Sequence, residues 1–169
     1  MKKSLSKEIA KIALSVALLC VSAWIAVPFG AIPVTLQTLC VLFVAGYLGA
    51  WRGALAVGAY LLLGAVGVPV FSSFTGGVAR FLSPTGGFLL GLFPAALLMG
   101  AFSGKKSFWN YLLGGALSTL LLYVCGVAGF TLHASFSAGL WGAVATCVLP
   151  FLPFDAVKIV LAAGILKRL

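Results

Sequence analysis

Long apolar runs, separated by short breaks rich in glycine, proline or polar residues, recur along the whole of this 169-residue sequence. Hydrophobic residues make up 63% of the chain and charged residues only 8%, and the mean hydropathy is +1.22. A soluble domain of this size needs far more polar surface, whereas a helix that crosses a bilayer needs about 20 apolar residues. The pattern therefore predicts an all-α, polytopic membrane protein that forms a single domain over residues 1–169.

Six transmembrane helices are predicted from these runs. The run at residues 9–27 competes with a signal-peptide interpretation, but it is longer than the apolar part of a signal peptide and lacks a clear cleavage pattern. Residues 138–149 are apolar but too short to cross, so we expect a short helix on the outer face there. The other five predicted helices lie at residues 36–50, 53–68, 84–102, 108–127 and 153–168.

The cations set the orientation of these helices. With six crossings and a cytoplasmic amino terminus, nine of the eleven lysines and arginines fall on the cytoplasmic side, and Arg80 is the one cation in an outer loop. Cytoplasmic loops of membrane proteins are enriched in lysine and arginine. Both termini are therefore predicted to be cytoplasmic.

Two further patterns indicate no chemistry. The four cysteines stand singly in apolar runs and His133 has no second ligand type nearby, so neither predicts a metal site. The stretch at residues 100–107 resembles a phosphate-binding loop, but it has one residue too few between its glycines, lacks the serine or threonine after lysine, and follows no strand. We interpret it as a helix end with a basic anchor.

Asp155 and Lys158 stand out in the last apolar run, because the only other acidic residue of the chain is Glu8. Residues three apart share a helix face, and an ionisable pair in a membrane helix is costly enough to suggest a functional site. The alternative is structural: after Pro153 in the first turn, Asp155 would favour the helix dipole and Lys158 would neutralise it. The functional interpretation is favoured because a helix start needs no lysine.

The segment at residues 70–87 mixes aromatics, hydroxyls, glycine pairs and Arg80. It is either a plain interhelical loop or a loop that folds back to line a cavity, and its composition favours the second. In the predicted topology Gln37 and Thr85 lie at the same outer end as this loop, together with Asp155. The polar groups could therefore define a pocket that opens to the outside.

Four stretches carry a resemblance to a known family: IPVTLQTL at residues 32–39, GVPVF at 67–71, SPTGGF at 83–88 and PFLPFDAVK at 150–158. In these, and in their order along nearly the whole chain, the sequence resembles the BioY family, the substrate-binding (S) components of energy-coupling-factor biotin transporters. The combination of the Pro-Thr-Gly-Gly and Pro-x-Asp-x-x-Lys patterns is specific, although neither pattern alone would be.

The resemblance implies a six-helix protein of the bacterial cell membrane that binds biotin near the outer face and needs no cofactor. It implies docking onto a transmembrane T component that is driven by two ABC ATPases. The family's aspartate and lysine ligands correspond to Asp155 and Lys158. The small-residue motif that S components present to the T component corresponds to Ala13 and Ala17, one helical turn apart.

The candidate substrate-binding residues match the two polar ends of biotin. Asp155 can accept a hydrogen bond from a ureido N–H, Lys158 can donate to the ureido oxygen, and Arg80 can clamp the carboxylate. Some family members carry an arginine where this chain has Leu89, and Arg80 is the candidate to replace it. The remaining candidates are Thr35, Gln37, Ser73, Thr85 and Gly86.

Three other functions stay open on the sequence alone. They are a small intramembrane enzyme with Asp155 as acid–base, an S component for another vitamin-like ligand, and a plain packing or channel subunit. The enzyme is disfavoured because no nucleophile–base pair or metal set accompanies Asp155.

Overall fold

The structure, a computed structural model, describes residues 2–27, 33–104, 106–132 and 139–169. Residues 28–32, Lys105 and His133 lie outside the described residues. Most of the described chain is helical: α1 (Lys2–Trp24), α2 (Gln37–Leu48), α3 (Ala50–Ala65), α4 (Gly86–Ala101), α5 (Phe108–Leu132), α6 (Gly139–Cys147) and α7 (Leu152–Arg168).

Each apolar run of the sequence contains one of these helices, and the short run at residues 138–149 contains the nine-residue α6. The all-α prediction omitted one feature, a pair of two-residue antiparallel strands, β1 (Ala26–Val27) and β2 (Val34–Thr35). Two-residue strands are too short to produce the alternation of apolar and polar residues from which a strand is predicted.

The helices differ in whether they are long enough to cross a bilayer. Among the described residues, Gly86–Gly104 and Phe108–Leu132 are long and apolar enough by themselves. A third candidate is the pair formed by α6 and α7, which meet at an angle of 52°. The helices α2 and α3 are apolar but have only 12 and 16 residues. Membrane-spanning helices are therefore supported by length and composition, whereas the number of crossings is not fixed by them.

The core is built around α4 and α5, which form the most extensive contact between any two of the described helices. The helices α2 and α3 pack against α4, α7 packs against α5 and α2, and α1 lies on α3 and α2. The main apolar core contains residues of α1, α2, α3, α4, α5 and α7. A second cluster, which includes Tyr123, Cys147 and Phe151, joins α5 to α6 and to the residues just before α7.

Ionic and polar contacts define one end of the molecule. Glu8, near the start of α1, pairs with Arg52, near the start of α3, with Oε2 and Nη1 3.0 Å apart. Lys106, just before α5, donates from Nζ to the carbonyl oxygen of Leu169 at 3.1 Å. We call this end, where α1 and α3 start and α7 ends, the basic end.

The segment between α3 and α4, residues 66–85, lies at the opposite end and is held by aromatic packing. The Phe71 ring is buried against Gly64 and contacts the rings of Tyr60 and Phe81 edge to face, with centroids 5.5 and 5.6 Å away. We call residues 66–85 the α3–α4 loop. The packing of Phe71 therefore sets the position of the loop residues on either side of it.

The end of α1 clamps the same loop. The indole Nε1 of Trp24 donates to the carbonyl oxygen of Pro69 at 3.0 Å, and its ring stacks on Phe74 at 5.1 Å between centroids. Ser73 and Phe74 have φ values of 59° and 55°. Such left-handed backbone costs of order 1–3 kcal/mol per residue, so it persists only where surrounding contacts enforce it.

At the basic end, α4 comes unusually close to the turn between α2 and α3. A Cβ atom added to Gly100 would collide with the backbone of Ala50 and Gly49. The two segments can pack at this distance only because residue 100 has no side chain.

We expect Gly100→Ala to lower the thermal unfolding temperature of the purified protein, since overpacking a close-packed interior costs about 1–3 kcal/mol. Tryptophan fluorescence during heating in detergent measures this. The matched control is Gly164→Ala in α7, where an added Cβ has nothing within 4 Å. Alanine is favoured over glycine in helices, so the control should not unfold earlier. A Gly100→Ala protein as stable as wild type would contradict the role of this close approach.

Candidate functional site

A cavity lies between α2, α4, α5, α7 and the α3–α4 loop, away from the basic end. It holds about 720 Å³ of empty space, including the part open to solvent. Its polar lining residues are Thr35, Gln37, Thr38, Ser72, Arg80, Thr85, Tyr123, Asp155 and Lys158. Its apolar lining residues are Pro33, Phe88, Leu89, Leu92, Leu122, Cys147 and Phe151.

Asp155 and Lys158 form a buried ion pair in the wall of this cavity. Nζ of Lys158 donates to Oδ1 of Asp155 at 2.7 Å, and the hydroxyl of Tyr123, on α5, donates to Oδ2 at 2.7 Å. Both of these hydrogen bonds of the Asp155 side chain are with other side chains. Its carboxylate thus lies in the cavity wall as well as in the first turn of α7.

The start of α7 explains how this pair reaches the cavity. The chain bends by 52° between α6 and α7, and Pro153 then occupies the first turn of α7, where a missing N–H costs nothing. Asp155 follows in that turn, where the helix dipole favours a carboxylate. Lys158 lies one turn further along the same face, so the two charges are local neighbours.

Arg80 reaches the cavity from the α3–α4 loop. Its Nη2 lies 3.4 Å from Oγ of Ser72, which is long for a hydrogen bond, and its Nε is buried without an acceptor among the described residues. The two acidic residues of the chain, Glu8 and Asp155, pair with other cations. No acidic side chain of the described residues neutralises Arg80.

Gln37 is oriented by a tyrosine beneath it. Its Nε2 donates to the hydroxyl of Tyr60 at 2.9 Å, and that hydroxyl donates to the carbonyl oxygen of Val70 at 3.3 Å. Because the hydroxyl proton of Tyr60 is directed to Val70, Gln37 must use its amide N–H on Tyr60. The amide oxygen of Gln37 is then the group that can accept a hydrogen bond from a ligand.

Most of the predicted substrate-binding residues come together in this cavity, and the α3–α4 loop lines it, as predicted. Six of the eight candidates are lining residues: Asp155, Lys158, Arg80, Gln37, Thr35 and Thr85. Leu89, the position at which some family members carry an arginine, also lines the cavity. It therefore faces the same cavity as Arg80.

Ser73 and Gly86 are the two candidates that do not line the cavity. Ser73 is exposed in the left-handed turn of the loop, and its neighbour Ser72 lines the cavity instead. Gly86 is buried where a Cβ atom would collide with the carbonyl of Phe81, and its N–H donates to the carbonyl oxygen of Ser83 at 2.8 Å. Its role is to let the chain turn tightly into α4.

Three polar lining residues, Thr38, Ser72 and Tyr123, were not among the candidates. Tyr123 is 32 residues from Asp155 in sequence and lies in an apolar run. The buried face of α5 is marked by small residues at helical spacing, among them Gly115, Ser118 and Gly126. That periodicity could have placed Tyr123 on the buried face, although it could not have identified its partner.

Ala13 and Ala17, the predicted partner-binding residues, lie away from the cavity. Both are exposed on α1, whereas Ser15 and Leu19 of the same helix face the core. The two alanines thus belong to a surface that the described part of the chain leaves uncovered.

Comparison with known proteins places the chain in context. The BioY family matches residues 1–169. A protein of Thermotoga maritima named biotin transporter BioY is 39% identical over 166 residues, covering 96% of this chain and 95% of the relative. A protein of Pyrococcus horikoshii named probable biotin transporter BioY is 37% identical over 164 residues, covering 97% and 96%.

A solved structure has the same fold. It is the crystal structure of the S-component for biotin from an ECF-type ABC transporter, with a TM-score of 0.89 and 23% identity, and the match covers 99% of this chain and 93% of that one. The fold comparison and the two sequence comparisons agree over nearly the full length. The chain therefore belongs to the BioY family.

Proposed function

We propose that this chain is the biotin-binding subunit of a vitamin uptake transporter, which captures biotin at the outer face of the membrane. The observation that carries the proposal is a single cavity that combines the Asp155–Lys158 pair with the unneutralised Arg80. The two relatives are named biotin transporters, and the structural neighbour is an S-component for biotin. In this proposal, residues 1–169 form a single substrate-binding domain.

The ureido ring of biotin suits the α7 wall. Lys158 uses one of its three N–H donors on Asp155, so others are available for the ureido oxygen. Each Asp155 oxygen accepts one hydrogen bond and has a second lone pair for a ureido N–H. The amide oxygen of Gln37 offers a further acceptor. Thr35 and Thr85 supply hydroxyls on the same lining.

The carboxylate tail of biotin suits Arg80. A guanidinium group binds a carboxylate by two parallel hydrogen bonds, and Arg80 has no such partner among the described residues. Ser72 lies beside it and can contribute a hydroxyl. The apolar rings of biotin would then lie against the Phe88, Leu92 and Leu122 side of the cavity.

The proposed topology has six crossings with both termini in the cytoplasm, in a bacterial cell membrane. Arg52 and Lys106 lie at the basic end, which would be the cytoplasmic side, and the cavity lies away from it. All four tryptophans are exposed. Trp51 and Trp109 lie toward the basic end, and Trp24 and Trp141 toward the other, as expected for two interfacial belts.

Delivery of biotin would require an energy-coupling module, made of a transmembrane T component and ABC ATPases. This step is inferred from the family, because the structural neighbour is a component of an ECF-type ABC transporter. The exposed Ala13 and Ala17 of α1 are the proposed contact. Small side chains there would let a partner helix approach closely.

The enzyme alternative is not favoured. Members of the BioY family are transporter components rather than enzymes, and the relatives are named as transporters. Among the described residues, no group of three His, Cys, Asp or Glu side chains could hold a metal ion. Another vitamin-like ligand would need two polar ends that match the cavity as well as those of biotin do. The relatives are named biotin transporters, which favours biotin.

We expect Asp155→Asn to weaken biotin binding by about 2–5 kcal/mol, because it leaves Lys158 buried beside a neutral partner. Equilibrium binding of labelled biotin to the purified chain measures the loss. Glu8→Gln is the matched control, since it neutralises the other acidic residue of the chain, which lies at the basic end. Unchanged affinity in a folded Asp155→Asn protein would remove Asp155 from the site.

We expect Arg80→Ala to weaken the binding of biotin far more than the binding of an uncharged biotin amide, because only biotin carries the carboxylate that Arg80 would hold. Competition binding with both ligands gives the two ratios. Arg52→Ala is the control, as Arg52 pairs with Glu8 away from the cavity. Equal losses for the two ligands would instead show that Arg80 supports the loop.

We expect the double variant Ala13→Leu, Ala17→Leu to bind biotin like wild type but to lose its association with the energy-coupling module. The added bulk would keep the partner helix away. Co-purification with a module that retains the wild-type chain measures association. Ala116→Leu, on the exposed side of α5, is the control. A double variant that still co-purifies would place the docking surface elsewhere.

A further inference from the structure

The hydroxyl of Tyr123 is the one contact that a helix other than α7 makes with the Asp155 carboxylate, among the hydrogen bonds of the described residues. Tyr123 lies on α5, is only 8% exposed, and lines the cavity. It donates to Oδ2 of Asp155 at 2.7 Å, whereas Lys158 donates to Oδ1 at 2.7 Å. The carboxylate is thus held on both of its oxygens, by donors from two helices.

These two donors have different mechanical effects. Lys158 reaches Asp155 from one turn further along the same helix, on a long side chain with several rotatable bonds, so it can follow the carboxylate as it turns. The terminal torsion of an aspartate is broad, and it is not fixed by its own rotamer preferences. The Tyr123 ring has only two torsions and is buried, so its hydroxyl is a fixed point from which the plane of the carboxylate is set.

The orientation of the carboxylate decides what it can do for a ligand. With one lone pair on each oxygen occupied, the remaining lone pairs have defined directions. A ureido N–H gains a strong hydrogen bond only if one of these directions meets it, since hydrogen bonds weaken steeply away from linearity. A carboxylate that turned freely would have to be ordered by the ligand, and this would lower affinity.

We propose that Tyr123 is a positioning residue for the ligand: it fixes the Asp155 carboxylate in the orientation that accepts a ureido N–H. This inference rests on the proposed function, the binding of biotin. Tyr123 would therefore set the affinity for the ureido end of the ligand and leave the carboxylate end to other residues.

A merely structural role makes different predictions. If the Tyr123 hydroxyl only joined α5 to α7 through Asp155, its loss would lower stability, and the folded protein would still bind biotin with nearly unchanged affinity. The affinity of the folded variant separates the two roles, and a double-mutant cycle adds a second test, because a positioning effect must disappear once the positioned carboxylate has been replaced.

The experiment uses the full-length chain in detergent and labelled biotin. Tyr123→Phe, which removes only the hydroxyl, should lower biotin affinity roughly 10-fold or more, the scale of one hydrogen bond to a charged group. Biotin amide should lose affinity by the same factor, since its ureido end is unchanged. In the Asp155→Asn background, Tyr123→Phe should change affinity by less than about 2-fold.

Tyr111→Phe is the matched control. Tyr111 is also a buried tyrosine of α5, but it lies toward the basic end and does not line this cavity. It should bind biotin like wild type. If Tyr123→Phe and Tyr111→Phe lower the unfolding temperature equally but only Tyr123→Phe loses affinity, a general effect of losing a buried hydroxyl is excluded.

A direct reading of the contact is available because Asp155 is the only aspartate in the chain. Aspartate labelled with ¹³C at its side-chain carboxyl carbon therefore reports on Asp155 alone in an NMR spectrum. The resonance should shift when biotin binds, and it should move or broaden in ligand-free Tyr123→Phe but not in Tyr111→Phe.

The outcomes separate the two levels of the proposal. If wild type fails to bind biotin, the proposed function is overturned and this inference falls with it. If wild type binds but folded Tyr123→Phe binds equally well, the positioning role alone is overturned. It is also overturned if Tyr123→Phe loses the same factor with and without the Asp155 carboxylate.

Discussion

The buried ion pair of Asp155 and Lys158 is the constraint on which the rest of the site depends. Taking two charges out of water costs several kcal/mol per ion, and their attraction compensates only if the geometry is good and further hydrogen bonds are made. Their placement three residues apart on α7 secures the geometry, and Tyr123 on α5 supplies the further bond. The contact between α5 and α7 is therefore polar at this level, although the main core between the helices is apolar.

The second charged group of the site, Arg80, is positioned differently. It stands on a loop rather than on a helix, so its position depends on how that loop is held. Phe71, buried between Gly64 and Tyr60, anchors the loop from within, and Trp24 of α1 holds it from outside. The ion pair is thus held in place by a helix, α7. Arg80 is held by aromatic packing between α1, α3 and the α3–α4 loop.

These two parts of the site also differ in how far they follow from the sequence. The helices, the short α6 and the Asp155–Lys158 pair are local patterns, because apolar runs and a three-residue spacing are contained in a few turns of chain. The left-handed backbone at Ser73 and Phe74 could not be predicted, since the ring that stacks on Phe74 is that of Trp24, far away in the sequence. Tyr123 was missed for the same reason, because its partner lies 32 residues away. Gly86 belongs to the Pro-Thr-Gly-Gly pattern, and such a pattern alone does not tell whether a residue touches a ligand or shapes a turn.

The composition of the cavity wall has an electrostatic consequence that reaches beyond contact distance. Two cationic side chains, Arg80 and Lys158, face one carboxylate, that of Asp155, and the positive end of the α7 dipole lies beside them. A cleft with a surplus of one sign and low-dielectric walls concentrates ions of the other sign at its mouth. Small anions in the medium are therefore drawn in before any hydrogen bond forms, and neutral molecules of the same size are not. Since this attraction is screened over about 8 Å at physiological ionic strength, the rate at which an anion enters depends on the salt concentration of the surrounding medium as well as on the anion.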